Sequence, residues 1–220
     1  RGSGAAQTFG TNRGEAIHTL AADGDEHLMV VTAQGMAKRL TLNEVRETKA
    51  GKPLLKLKTG DRVVAAFTAP DGVDMVMVAS DGQVLRTAMG GISIQGRGAA
   101  GVAGMKLRAG ATVVAACPVL ADDFLVTVTD DGCAKATPIA EFEAKGRGGV
   151  GVRTTKLADG TALTTARVGP TMGLLAVMAS DDDPKKADPT PVPLMLEATG
   201  RDLVSTASER QVLVLGPSRW

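Results

Sequence analysis

The chain has 220 residues, 44% of them hydrophobic but only 2% aromatic, with four Phe, one Trp and no Tyr. Its 25 Lys and Arg against 24 Asp and Glu give a formal charge of +1, which excludes a molecule basic all over; any polyanion binding must sit on a local patch. With so few aromatics, Ala, Val, Leu and Met are left to fill a core. No apolar run approaches the ~20 residues that span a bilayer, and no signal peptide is seen.

Arg1-Gly2-Ser3-Gly4, without an initiator Met, reads as an expression scar ahead of an excised piece of a longer protein. Residues 5–23 read as a shortened unit, because Gly14 and Leu20 keep the six-residue separation of Gly151 and Leu157. From there one unit is written three times. Leu57, Leu107 and Leu157 are 50 residues apart, each preceded by a lysine (Lys56, Lys106, Lys156), and Gly51, Gly101, Gly151 and Gly60, Gly110, Gly160 keep that spacing. A period of this size marks a supersecondary unit that stacks on copies of itself.

Each unit opens with an apolar, β-branched run, at 28–32, 75–79 and 124–129. A turn follows (Gln34-Gly35, Asp81-Gly82, Asp131-Gly132), of the kind that joins hairpin strands. Return strands are expected at 37–42, 84–88 and 134–139, and closing strands at 62–67, 112–117 and 161–168. Helical periodicity is absent apart from possible single turns at 42–45 or 141–144. Three or four short strands per unit is the arithmetic of a propeller blade, with units at 24–73, 74–120, 121–170 and a degenerate 171–220. The whole chain is thus one all-β repeat domain of about four to five four-stranded blades. The last unit keeps an apolar strand at 174–179, then an acidic, Pro-rich excursion at 181–193, read as a solvated loop, and a closing hairpin around Gly200.

Between return and closing strands lies a glycine-rich connection: Gln95-Gly96-Arg97-Gly98-Ala99-Ala100-Gly101, then Lys145-Gly146-Arg147-Gly148-Gly149-Val150-Gly151. Both contain GxGxxG, but a dinucleotide fingerprint follows a strand and opens a helix, whereas here another turn comes next. Glycines that let the backbone approach an anion, with one arginine for a charge-assisted contact, fit a phosphate instead. Lys106 follows Arg97, and Arg153 with Lys156 follows Arg147, so repetition would set these groups along one rim. Cys117 and Cys133 form no CxxC pair and read as inert core thiols. His18 and His27, without carboxylate or thiol company, read as surface or structural residues. Neither a metal nor a cofactor is expected.

These residues resemble the C-terminal domain of bacterial type IIA topoisomerase A subunits, those of DNA gyrase and topoisomerase IV. The likeness rests on 31–39 (Val-Thr-Ala-Gln-Gly-Met-Ala-Lys-Arg), on Lys56-Leu57-Lys58-Thr59-Gly60-Asp61-Arg62-Val63-Val64, and on 80–86 and 129–135 with the later Lys-Leu pairs. It covers 24–170 well and 171–220 poorly. The family's Gln-Arg-Arg-Gly-Gly-Lys/Arg-Gly box is worn here. Gln95, Arg97, Gly98 and Gly101 persist, while Gly96 and Ala100 replace basic residues. The Lys145 to Gly151 segment, with Arg147 and Gly148, is similarly eroded, and Val45 to Gly51 is hardly a box at all.

The resemblance implies a β-pinwheel, whose blades exchange strands, and duplex DNA as partner. It also implies association with the cleavage domain and ATPase subunit of a parent topoisomerase, in the cytoplasm beside the nucleoid. The eroded box points to a topoisomerase IV-like role in preference to negative supercoiling. The chain has no tyrosine, so strand cleavage belongs to another domain. The candidate DNA contacts are the loop residues just named with Lys145, Gly151, Lys106, Arg153 and Lys156, and by resemblance the strand residues Lys38, Arg39, Arg86 and Lys135. With so few aromatics to stack on bases, single-stranded nucleic acid is disfavoured. The competing reading is a propeller that binds protein, in which the basic loops are incidental.

Overall fold

The computed structural model describes residues 10–12, 27–49, 51–70, 72–120, 123–170, 174–179, 191–207 and 211–217. The shortened unit at 5–23, His18 and most of the acidic excursion at 181–193 lie outside them.

The first unit contributes β1 (His27–Thr32), β2 (Met36–Thr41), the short helix α1 (Leu42–Glu47) and β3 (Val63–Thr68). The second gives β4 (Asp74–Ala79), β5 (Gln83–Ala88), the two-residue β6 (Val102–Ala103) and β7 (Val113–Val119). The third repeats this as β8 (Phe124–Thr129), β9 (Cys133–Pro138), β10 (Val152–Arg153) and β11 (Leu163–Gly169). The last holds β12 (Leu174–Met178), β13 (Val192–Pro193), β14 (Thr206–Ala207) and β15 (Val212–Pro217). The expected turn at 42–45 extends to Glu47, its first turn capped by the Thr41 hydroxyl, which accepts from the Glu44 N–H. In the later units that place holds single 3-10 turns, Met89–Gly91 and Ile139–Glu141, slightly before the 141–144 expected.

The sheets do not follow the sequence units. Their strand orders are β3-β1-β2-β6, β10-β5-β4-β7, β11-β8-β9-β14 and β13-β12-β15. The edge strand of the first sheet therefore comes from the second unit, that of the second sheet from the third, and that of the third sheet from the fourth. This exchange makes the array a pinwheel. It also changes the expected hairpin around Gly200: the two flanks do not pair with each other, because β13 lies against β12 and β14 against β9.

Stacking explains the composition. Alternate residues of each opening strand face opposite neighbours: Met75 and Met77 pack with Met29 and Val31 of the first sheet, whereas Val76 and Val78 pack with Leu125 and Leu163 of the third. Val126 and Val128 then meet Leu174 and Ala176. A strand buried on both faces reads as a continuous apolar run without alternation, which is the pattern seen at 75–79. Methionine supplies the bulk that aromatics would give elsewhere, with Met29, Met75 and Met77 wholly buried. Each such side chain contributes about 1.5–3 kcal/mol of apolar burial. Neighbouring blades are also joined by backbone bonds, Val113 N–H to the Ala33 carbonyl and Leu163 N–H to the Ser80 carbonyl.

Candidate nucleic-acid interface

The glycine-rich connection leaves its own blade and crosses the return strand of the preceding one. Gln95 N–H donates to the Arg39 carbonyl, Lys145 N–H to the Arg86 carbonyl and Thr199 N–H to the Ala136 carbonyl, each at 2.8–2.9 Å. Parallel bridges Arg39 with Ile94, Arg86 with Ala144 and Ala136 with Ala198 accompany these bonds. The chain then turns and delivers β6, β10 or β14 to the sheet edge. Gly151 makes that turn possible: its φ is +84° and a Cβ would lie 2.3 Å from the Val84 carbonyl oxygen. Gly101 makes the same close approach to the Ala37 carbonyl.

These equivalences place Arg97, Arg147 and Arg201 at one position of three successive loops. The third was not among the sequence candidates. Its signal was present as Gly200-Arg201, matching Gly96-Arg97 and Gly146-Arg147, but the excursion after residue 180 moves it four residues out of the fifty-residue register. Arg97 is exposed, and Arg201 is half-buried. Acidic groups fix the backbone at these arginines: Glu44 Oε1 accepts from the Arg97 N–H at 2.8 Å, and Glu141 Oε2 from the Arg201 N–H at 2.7 Å. The middle unit has Gly91 where the others have those glutamates, and there the Arg147 side chain itself bonds the Gly91 and Ala103 carbonyls at 3.1 and 3.2 Å. Carboxylates are thus part of this loop surface.

The lysines of the Lys-Leu element line up with the loops. Lys56 N–H donates to the Ala99 carbonyl and Lys106 N–H to the Gly149 carbonyl, and the side chains of Lys56, Lys106, Lys145 and Lys156 are exposed. Arg153 is exposed too, but it is paired with Asp202, Nε to Oδ1 at 2.7 Å. Asp202 occupies the left-handed position (φ +69°) that Gly148 takes in the preceding unit. Its carboxyl is held below the ordinary range chiefly by the Arg153 hydrogen bond. Arg108, Arg153, Arg201, Asp202, Gln83 and Val152 line an open cleft of about 320 Å³ beside this loop. Gln95 is half-buried with its Oε1 lacking a partner, and Gly98 has open space around it.

The four strand candidates lie elsewhere. Lys38 is wholly buried and its ammonium donates to the carbonyls of Leu54, Arg97 and Ala99 at 2.7, 2.9 and 3.0 Å. Lys135 is buried too, donating to Thr154 and Leu203 at 2.7 and 3.0 Å. Burial pushes the pKa of both ammonium groups down. Arg39 is buried with Nη2 at 3.2 Å from His27 Nδ1, which makes His27 structural as expected. Arg86 pairs with Asp74 at 2.8 Å and reaches the Ile139 and Phe142 carbonyls. Lys38 and Arg39, consecutive on β2, leave it on opposite faces and both are buried. Lys135 is buried like Lys38, and Arg86 is half-buried in its ion pair, so these four are engaged within the protein and not displayed with the loop arginines. Among the described residues no cluster of His, Cys, Asp or Glu has metal-binding geometry, and Cys117 and Cys133 are free thiols.

The family model for the DNA gyrase C-terminal domain, a beta-propeller, matches residues 26–70, 74–119 and 123–168, together more than half of the chain. The chain belongs to the DNA gyrase C-terminal domain family. Among its relatives, the DNA gyrase A subunit of Aminobacterium colombiense is 34% identical over 89 residues, covering 40% of this chain and 11% of that protein. The DNA gyrase A subunit of Pseudomonas aeruginosa is 32% identical over 92 residues, 41% of this chain and 10% of its own. The match thus spans about a tenth of the length of these curated relatives. Solved structures share the fold. The C-terminal domain of DNA topoisomerase IV superposes with a TM-score of 0.77 at 21% identity, over 89% of this chain and 62% of that one. The DNA gyrase A C-terminal domain gives 0.71 at 19%, over 88% and 66%.

Proposed function

We propose that this gyrase-family domain binds and bends duplex DNA as an accessory part of a type IIA topoisomerase A subunit. The observation that carries the reading is the threefold recurrence of a Gly-Arg loop at the exchanged edge of successive blades, with exposed lysines of the Lys-Leu element bonded alongside. Arg97, Arg201, Lys56, Lys106, Lys145 and Lys156 are the phosphate contacts, with Arg147 and Arg153 contributing the edges their internal partners leave open. Phosphate neutralisation at successive points releases counterions and tolerates any sequence. Bending 20–30 bp by 40–90° costs about 1–6 kcal/mol, which several such contacts offset.

The eroded box favours a parent enzyme nearer topoisomerase IV than a supercoiling gyrase. On this reading strand cleavage, ATP hydrolysis and a cytoplasmic setting belong to that parent and its subunits; cleavage needs a tyrosine nucleophile, and this chain has none. Among the described residues no helix is long and apolar enough to cross a membrane. The test is retardation of linear duplex DNA by the domain at low salt. Binding lost on raising salt supports the reading, and no binding at low salt favours a protein-binding propeller.

A further inference from the structure

The buried lysines call for an explanation that a DNA contact does not provide. Lys38 spends all three ammonium N–H groups on main-chain carbonyls, two of them in the Gly-Arg loop at residues 97 and 99 and one at residue 54. Lys135, at the same position of its return strand, bonds Leu203, which stands in its loop where Ala99 stands in the first. No carboxylate lies within ion-pair distance of either lysine among the described residues; their hydrogen bonds go to peptide oxygens, with Glu44 acting on Lys38 and Asp202 and Glu141 on Lys135 at longer range. Those oxygens belong to loop backbone outside the strand ladders, where the Ala99 carbonyl also accepts from the Lys56 N–H and the Thr154 carbonyl from the Asp202 N–H.

The middle blade shows what happens without the lysine. Leu85 replaces it and packs against Gly149, the residue equivalent to Ala99, a Cβ there lying 3.6 Å from its Cδ1. In that blade the arginine side chain itself tethers the loop, through the Gly91 and Ala103 carbonyls. Over a lysine the loop arginine bonds no carbonyl of the described residues with its side chain; over Leu85 the Arg147 side chain bonds two, while itself staying exposed.

We propose that Lys38 and Lys135 are positioning residues, buried latches that fix the backbone of the crossing loop so that Arg97 and Arg201 are presented to a phosphate. The proposal rests on the DNA-binding reading above for its function, though not for its geometry. Two consequences separate a latch from a general support. The loop amides of Gln95 and Ala99 depend on Lys38, whereas those of β1 and β4 do not. The contribution of Lys38 to affinity also runs through Arg97, because Arg97→Ala leaves the carbonyl that Lys38 holds in place.

The experiment is a double-mutant cycle on duplex DNA affinity with Lys38→Met and Arg97→Ala, joined to amide hydrogen exchange on the same proteins. Lys38→Met is expected to weaken binding about 5–10-fold in the parent background and less than about twofold beside Arg97→Ala. Exchange at Gln95 and Ala99 rises at least about tenfold while the strand amides keep their protection. Lys38→Arg, which keeps the donors, restores part of both. Additive losses in the cycle, or exchange that rises evenly over the first blade, overturn the proposal. Should Lys38→Met fail to fold, the cycle of Lys135→Met with Arg201→Ala carries the same test. If the unaltered domain binds no duplex, the functional reading fails, and unchanged exchange at the loop amides would then overturn the latch itself.

Discussion

The ammonium of Lys38 donates to the carbonyl of Ala99 at 3.0 Å, joining residues 61 positions apart. That bond crosses from one repeat to the loop of the next and pins the segment that becomes the exchanged strand β6. Blade and loop are thereby assembled together: the sheet edge formed by Val102 and Ala103 follows directly from a backbone held by the neighbouring unit. The loop arginines inherit their spacing from the blades beneath them.

The left-handed glycines separate into two groups. Gly151→Ala places a Cβ 2.3 Å from the Val84 carbonyl at φ +84°, whereas Gly160→Ala, at φ +81°, meets nothing within 4 Å. The exposed site costs only the left-handed penalty, about 1–2 kcal/mol. The crowded one costs that and the displacement of β10 from the second sheet, about 3 kcal/mol or more. Denaturant unfolding of the two variants measures the difference; equal losses would mean that the backbone approach at Val84 is not tight.

The interface between the second and third sheets rests on Leu125, Leu163 and Phe142, all essentially buried. Leu125→Ala is expected to lower stability by about 2–5 kcal/mol and Phe142→Ala by about 3–5 kcal/mol. The expected unfolding remains a single transition, since the cores are shared between neighbouring sheets. Two separated transitions would contradict that sharing.

Strand existence was legible because stacked sheets bury both faces of the opening strands, and the run Met75-Val76-Met77-Val78 carries that signature openly. The turns at Gly82 and Gly132 were equally plain. The exchanged strands were not: two residues of ladder at 102–103 or 152–153 leave no period to detect. At the site, Arg97 and Arg147 showed themselves through repetition. Lys38 and Lys135 misled, because a lysine on a strand reads as solvent-facing, and the carbonyls that take it inward arrive from chain positions that no local pattern connects. Arg201 was hidden by an insertion that broke the register on which the repeat was recognised.

Asp202 links pH to stability. Its folded pKa lies below the ordinary 3.8, chiefly through the Arg153 hydrogen bond. The sign follows from that direction: the stabilisation is full above 3.8 and is lost as pH falls through the lower folded value. The stability difference between the parent and Asp202→Asn should therefore be present at pH 7 and shrink below pH ~3.8, in paired unfolding curves. A difference that stays constant with pH would show that the ion pair contributes nothing. Asn tolerates the left-handed backbone, so the comparison isolates the charge.

The same carboxylate holds Arg153 and lies near Arg201, whose Nη1 is 3.7 Å from it, so on the DNA-binding proposal it would compete with phosphate for both. Asp202→Asn is accordingly expected to raise duplex affinity about two- to fivefold at low salt and to steepen its salt dependence. Titration of the variant checks this, and a loss of affinity would place the loop of the fourth unit away from the DNA.

The most direct test of the central claim is a titration of linear duplex DNA over a series of salt concentrations, with the parent domain and an Arg97→Ala, Arg147→Ala, Arg201→Ala triple variant. Phosphate contacts along the rim predict a log–log slope of about −0.9 per neutralised phosphate, the same for unrelated DNA sequences, and a slope shallower by roughly 2–3 in the triple variant. Equal affinity and slope for the two proteins would contradict the assignment of the Gly-Arg loops to DNA.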